Sequence, residues 1–392
     1  MNKSQVLVVQ LNGKSDFLPV IIITTQCFEP KIGGIEALMT GMADSMKSLG
    51  KDVLVLADGK VRVEDDKNKK YKIKRFYGWK PLRRIRKAKY LEKVCRENNV
   101  EYIYADSWKS IEYINKKNKK ILVLAHGTEI PKQYWTLMID TFHLKKKRII
   151  NSYKGVYKII ANSNYTKDLM QASLKIERSK IQIIHPGIDV YREFISNQEK
   201  EYVNQIICNK KPVITTLARV EKRKGHKYIV NAINELRDEY PNLIYLIAGK
   251  GPYLENIKNI VKKLNLNNQV IFLGWITEPE KSLILKNSDI FAMTPIRSGE
   301  SVEGFGMAFI DAAFHGVASI GSDNGGIRDA IIDGETGLIC KSANQVEITS
   351  NLKKLIKNKK LRNKLGKNGK KFAEEKFSWS KKIHEYLDAA KY

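Results

Sequence analysis

Two carboxylates, Glu303 and Asp311, stand eight positions apart in the stretch EGFGMAFIDAAFHG, which runs from Glu303 to Gly316. Asn324-Gly325-Gly326 follows closely. The first acid directly precedes Gly304-Phe305-Gly306, and glycines let a backbone come close to a ligand. The small-residue pattern from Met307 reads as the start of a helix, and the unpaired N–H groups of such a start suit a phosphate. Carboxylates on either side of that start are acceptors for the hydroxyls of a sugar and a ribose. One segment therefore offers donors for phosphate and acceptors for hydroxyls, which is the set a sugar nucleotide demands.

Other residue types point the same way with less specificity. Arg219 and Lys224 lie five apart in LARVEKRKGHKYI, with Gly225 next. Arg can bind phosphate oxygens with two bonds while Lys acts as a point charge, yet two basics in a lysine-rich chain by themselves read more readily as a solvated loop. Gly33-Gly34-Ile35-Glu36 follows the first strand after Glu29-Pro30, and such a turn either holds backbone N–H groups against phosphate or is simply tight. His126, in LVLAHGTEIP, ends a strand before Gly127, and a lone His there is more often structural. In His185-Pro186-Gly187-Ile188-Asp189 the Pro and Gly read as conformational. Ser163 and Asn164 are good helix caps, with substrate contact as an equal reading. Gly249-Lys250-Gly251-Pro252 and Gly274-Trp275-Ile276 are loops at strand ends. Glu64-Asp65-Asp66 reads as solvated, and Cys27, Cys95, Cys208 and Cys340 have no paired spacing. No metal and no resident cofactor is expected.

EGFGMAFIDAAFHG resembles the acid-x7-acid signature of retaining glycosyltransferases of family 4, whose GT-B fold sets two Rossmann-like domains across a cleft. That family has Glu-Gly-Phe-Gly, four residues, then Glu-Ala. Asp311 stands in place of the second Glu, and Val317 where a Pro often follows the Gly. The resemblance implies a role for each matching residue. Glu303 faces the donor sugar's outer hydroxyls, Phe305, Gly306 and Met307 offer N–H groups to sugar and phosphate, and Asp311 takes the ribose. Arg219 and Lys224 pair with the diphosphate as UDP or GDP leaves, so that charge stabilisation replaces a metal. PKIGGIE places Gly33 and Gly34 against the diphosphate and the acceptor, and His126 lines the cleft near the reacting sugar. Gly251 belongs to a Gly-x-Gly-Pro turn, and the segment at Ile276 reads the nucleobase through its backbone. The catalytic set is then Glu303, His126, Arg219 and Lys224. The implied reaction moves a hexose from a UDP- or GDP-linked donor to a hydroxyl acceptor, with retention and without a metal.

Elements must hold these residues in place. Short β-branched runs alternate with amphipathic stretches, which argues for α/β architecture with parallel sheets. Strands are expected at Val20–Thr24, Val53–Ala57, Tyr102–Tyr104, Ile121–Ala125 and Val156–Ala161. In the second half they are expected at Val213–Leu217, Leu243–Ala248, Val270–Leu273, Ile290–Ala292, Ala318–Gly321 and Gly337–Cys340. Ile35–Leu49 and Lys227–Glu235 are the clearest helices. The polar stretch Asn197–Lys211 reads as a link. The expected division is an acceptor domain over 1–197, completed by a return helix at 378–392 after Phe377, and a donor domain over 208–377. A length of 392 residues suits two cores.

Composition narrows the partners. LPVIIITT, at Leu18–Thr25, is too short to span a bilayer, and the start of the chain lacks a signal-peptide pattern. Scattered cysteines suit a reducing cytoplasm. The net charge of +28 suits an anionic membrane surface, a nucleic acid, or lysines spread over solvated faces. Lys72–Lys89 carries nine basic residues and no acid, and His143–Lys158 carries six and none. Both contain apolar residues, among them Phe76, Tyr77, Trp79, Leu82, Ile149 and Tyr153. The expectation is a protein peripheral on the inner face of the cytoplasmic membrane, acting on a lipid-linked glycan, glycolipid or lipopolysaccharide precursor. A soluble small-molecule or polysaccharide acceptor is the alternative. No recognised module supports nucleic-acid binding. A nicotinamide oxidoreductase would need a first-strand Gly-x-Gly-x-x-Gly, which is missing.

Overall fold

The computed structural model describes residues 20–60, 66–127, 130, 139–189, 195–298 and 301–391, with backbone alone at 139–143. Thr128, Glu64 and Asp65 lie outside the described residues. The first half runs β1 (Val20–Thr25), α1 (Gly34–Ser48), β2 (Asp52–Asp58), β3 (Lys72–Phe76), α2 (Lys80–Glu97), β4 (Val100–Ala105), β5 (Ile121–Ala125), α3 (Ile139–Tyr153), β6 (Lys158–Ala161), α4 (Asn164–Leu174) and β7 (Ile181–Ile183). The second half begins with α5 (Asn197–Ile207), β8 (Val213–Leu217), α6 (His226–Leu236), β9 (Ile244–Ala248), α7 (Leu254–Lys263), β10 (Val270–Gly274) and α8 (Glu278–Asn287). It continues through β11 (Ile290–Ala292), α9 (Met307–Phe314), β12 (Ala318–Ser322), α10 (Ile327–Ala330), β13 (Gly337–Cys340), α11 (Gln345–Lys357), α12 (Lys359–Lys376) and α13 (Trp379–Lys391).

Two parallel sheets result, ordered β3-β2-β1-β4-β5-β6-β7 and β10-β9-β8-β11-β12-β13. The central strands are continuous apolar runs because both faces are covered, as in the fully buried VIIITT of β1. In each sheet the strand order reverses once, between β1 and β4 and between β8 and β11. Ligands of open α/β sheets sit beyond the carboxyl ends of the strands at that reversal. The architecture therefore marks the loops after β1, β4, β8 and β11 before any side chain is considered.

The last helix returns to the first sheet. Tyr104 of β4 donates its hydroxyl hydrogen bond to the Tyr386 carbonyl on α13 at 2.8 Å. Trp379 packs so closely on Gly41 of α1 and on Gly187 that a Cβ at either glycine would lie within 2.4 Å of the indole. The backbone joins there as well, since Ile188 N donates to Phe377 O at 2.8 Å.

Two expectations change. The stretch read as a link is helix α5, started by a Ser196–Glu199 capping box and buried through Val203 and Ile207 against Val213, Ile244 and Leu246 of the second domain. Strands β3 and β7 add to the expected set, one at each edge of the first sheet. Among the described residues no helix is long and apolar enough to cross a membrane.

Candidate functional site

The two reversal points face each other, and the loops after them touch. Gly304 lies against the His126 carbonyl: a Cβ there would stand 2.1 Å from that oxygen, so only glycine fits. Gly34, at the start of α1, leaves room for Met307 at the start of α9, whose sulfur would be 3.3 Å from an added Cβ. Ser163 caps α4 by accepting from Thr166 N at 3.1 Å and also donates to the Gly304 carbonyl at 2.6 Å. Capping and a reach across the cleft are thus joined in one hydroxyl. Asp329 of α10 accepts from Asn164 N at 2.6 Å and from its Nδ2 at 3.1 Å.

On the first-domain side, Asp106 follows β4 and organises the loop after β1. It accepts from Gln26 N at 2.8 Å, from Thr25 Oγ1 at 3.1 Å and from Ser110 Oγ at 2.6 Å. His126 is buried at the end of β5, with Nε2 2.9 Å from the Asp106 carbonyl. Glu36, in the first turn of α1, folds back over Gly33. Cys27 beside it has its thiol pushed up to about 12 by burial, with Asp106 and Glu36 adding to the effect.

On the second-domain side, the loop after β8 carries a chain of charges. Glu303 Oε2 accepts from Lys224 Nζ at 2.6 Å and from Arg223 at 2.8 Å. Burial alone would raise the Glu303 carboxyl, but Lys224 and Arg223 outweigh it and hold the group below the ordinary range. Arg223 also donates to Glu221 at 2.8 Å, and Glu221 pairs with Arg219 at 3.0 Å. Arg219 is the most exposed member, with its side chain 65% exposed. Gly225 closes the turn at φ +79°, where a Cβ would strike the Thr294 carbonyl after β11.

Gly306 starts α9 at φ +97° with no side-chain cap, so the first N–H groups of that helix stay available to a ligand. Phe305 is buried and stacks on His185 with ring centroids 5.3 Å apart, so only its backbone can serve the site. Asp311, further along α9, pairs with Lys281 of α8 at 3.2 Å, and Lys281 also meets Glu278 at 2.6 Å. Burial would lower that ammonium's pKa, but Asp311 and Glu278 hold it above the ordinary lysine value. Gly251 packs on the Val220 carbonyl below the Arg219 loop. Ile276 follows β10 just before α8.

The structure thus brings Gly33, Gly34, His126, Lys224, Glu303, Gly306 and Met307 together where the two domains meet, while Arg219 is largely exposed and paired with Glu221. Sequence reasoning passed over Arg223, Glu221 and Lys281. Arg223 had a visible signal, since it adjoins Lys224 and shares its loop. The pairing of Lys281 with Asp311 joins two helices and had none.

The basic segments need correction. Lys87 is 1% exposed, donating to Asp58 at 2.9 Å and to the Thr25 carbonyl at 2.8 Å. Arg83 pairs with Asp58 and Arg84 with Glu112. Phe76, Ile149 and Tyr153 are buried. Acids distant in sequence thus pair part of this charge, while Lys80 and Arg86 stay exposed. Trp79 and Leu82 do face solvent, 70% and 54% exposed, beside exposed Tyr77.

Comparison with known proteins agrees with this geometry. The model of the group described as Glycosyltransferase Family 4 matches residues 32–192, and that of Glycosyl transferases group 1 matches residues 197–372. A GDP-mannose-dependent alpha-(1-6)-phosphatidylinositol monomannoside mannosyltransferase of Mycolicibacterium smegmatis is 26% identical over 67% of this chain and 67% of its own. The alpha-1,3/1,6-mannosyltransferase ALG2 of Dictyostelium discoideum is 26% identical over 67% of this chain and 68% of its own. Anabaena Alr3699/HepE, solved in complex with UDP-glucose, superposes with a TM-score of 0.75 at 17% identity, over 95% of this chain and 100% of that one. The fold is GT-B, two parallel-sheet α/β domains.

Proposed function

Because the chain belongs to glycosyltransferase family 4 and is a glycosyltransferase using a nucleotide sugar, we propose that it moves a hexose from a UDP- or GDP-linked donor to a hydroxyl acceptor, with retention and without a metal. The observation that carries the reading is the meeting of Lys224 with Glu303 at 2.6 Å, below the uncapped start of α9 and across from Gly34.

In this reading the diphosphate lies between the Gly33-Gly34 turn and the start of α9. Glu303 accepts from the donor sugar's hydroxyls and Asp311 from the ribose. Phe305, Gly306 and Met307 offer backbone N–H groups, and the backbone at Ile276 meets the base. The diphosphate leaves while the acceptor hydroxyl, hydrogen-bonded to it, attacks from the same face. Lys224, Arg219 and the α9 N–H groups neutralise the charge that develops, the role a metal has elsewhere. His126 contacts the reacting sugar or the acceptor. Closure of the two domains excludes water and aligns the partners.

The acceptor in this proposal is lipid-linked. Exposed Trp79, Leu82 and Tyr77 beside Lys80 and Arg86 support a peripheral position on an anionic membrane, since apolar side chains that enter an interface add to electrostatic attraction. Screening UDP-, GDP- and ADP-sugars for protection against thermal unfolding tests the donor reading, because ligand binding raises apparent stability. One nucleotide class is expected to raise the unfolding temperature in a saturable way. No protection by any of them would remove the proposal.

A further inference from the structure

The cations on Glu303 are held unequally. Lys224 and Arg223 reach the same oxygen, Oε2, at 2.6 and 2.8 Å. Among the described residues Lys224 pairs with no other carboxylate, whereas Arg223 is also gripped by Glu221 at 2.8 Å. The Arg223 carbonyl accepts from Ile296 N at 2.7 Å, which ties its backbone to the segment after β11. Its side chain is 18% exposed, against 65% for Arg219 on the other oxygen of Glu221. Arg219 and Lys224 can therefore turn to an arriving anion, while Arg223 is pinned between two carboxylates.

This asymmetry matters when a diphosphate arrives. Lys224 then exchanges Glu303 for phosphate. Were Lys224 the sole cation on Glu303, the buried carboxylate left behind would be strongly disfavoured and would take up a proton. We propose that Arg223 is a positioning residue that keeps Glu303 ionised and aimed at the donor sugar while Lys224 and Arg219 serve the leaving phosphate. Glu221 is the anchor that stops Arg223 from following them. The inference rests on the donor reading above and deepens it, because it separates a cation that stays from two that move.

The test uses the full chain and the sugar nucleotide that protects the wild type best. Turnover is measured beside calorimetric affinity for the free nucleoside diphosphate, which lacks the sugar. Arg223→Gln is expected to lower kcat by about 10- to 100-fold, the scale of one lost charge-assisted hydrogen bond. Its affinity for the free diphosphate is expected to stay within about twofold of wild type, whereas Lys224→Gln loses that affinity. Arg223→Lys is expected to fall between, because one ammonium cannot bridge Glu221 and Glu303 as a guanidinium does. If Arg223→Gln fails to fold, Arg223→Lys carries the test alone, with reduced kcat and retained diphosphate affinity as the expected result. An unchanged kcat overturns the proposal. So does a loss of diphosphate affinity equal to that of Lys224→Gln, which would make Arg223 a phosphate ligand. Failure of the donor reading looks different, since the wild type itself would then bind no nucleoside diphosphate, and the inference falls with it.

Discussion

His226 follows the Arg219–Gly225 loop directly and makes a quantitative pH prediction. It opens α6, is 1% exposed, and neither ring nitrogen has a hydrogen-bond partner among the described residues. Burial, with a smaller contribution from the Lys224 ammonium, pushes its pKa from 6.5 down to about 4. Above pH 6.5 the ring is neutral in both folded and unfolded chains. As the pH falls the unfolded chain binds the proton first, so stability decreases until the pH passes about 4. At 1.36 kcal/mol per unit, the full loss is about 3 kcal/mol, of which about 2.5 kcal/mol has gone by about pH 4.5. His226→Leu removes this titration, and removing two unsatisfied nitrogens from a core keeps its stability near that of wild type at neutral pH. Urea unfolding of both proteins at about pH 7.5 and about pH 4.5 reads the difference, because the carboxylates common to both cancel. Wild type should lose about 2 to 3 kcal/mol more than the variant over that range. An equal loss in the two proteins would mean instead that a proton acceptor or water satisfies the ring.

The two acids should separate by assay. Glu303→Gln is expected to cut turnover by about two orders of magnitude or more, as loss of a transition-state contact does, while keeping nucleotide affinity. Asp311→Asn is expected to weaken nucleotide binding chiefly, and Asp311→Glu to be tolerated; titration with the free nucleoside diphosphate decides, and the reverse pattern would exchange their roles. For the membrane, wild type should pellet with anionic vesicles and release at high salt, and a variant carrying Trp79→Ser, Leu82→Ser and Arg86→Gln should stay in solution. Equal pelleting of the two, or none by wild type, favours a soluble acceptor. Arg83, Arg84 and Lys87 are left intact in that variant because each is paired with an acid, Asp58 or Glu112.

The apolar runs made most strands legible, because a parallel strand covered on both faces reads as a nearly continuous apolar run. Two strands were not. KIKRF in β3 alternates bases with apolar residues at an exposed edge, and β7 is three residues long. Helix α5 carried a readable signal in Ser196 and Glu199, but its polar composition suggested a link. The Glu303 to Gly316 segment was legible because its glycines and acids stand at a fixed spacing within one short stretch. The partners of its acids were not, since Lys281 lies 30 residues from Asp311 and Arg223 lies 80 from Glu303. Burial of Lys87 likewise depends on Asp58, 29 residues away, and no local pattern shows it.

In the proposed function, Arg219 and Lys224 hold the diphosphate of a sugar nucleotide in the cleft between the sheets. Calorimetric titration of UDP and GDP, in the presence of EDTA, into wild type and into the Arg219→Ala, Lys224→Ala double variant tests it most directly. The account predicts saturable binding of one nucleotide to wild type and loss of that binding in a folded double variant. Equal binding to both proteins, or binding to wild type only after magnesium or manganese is restored, would contradict it.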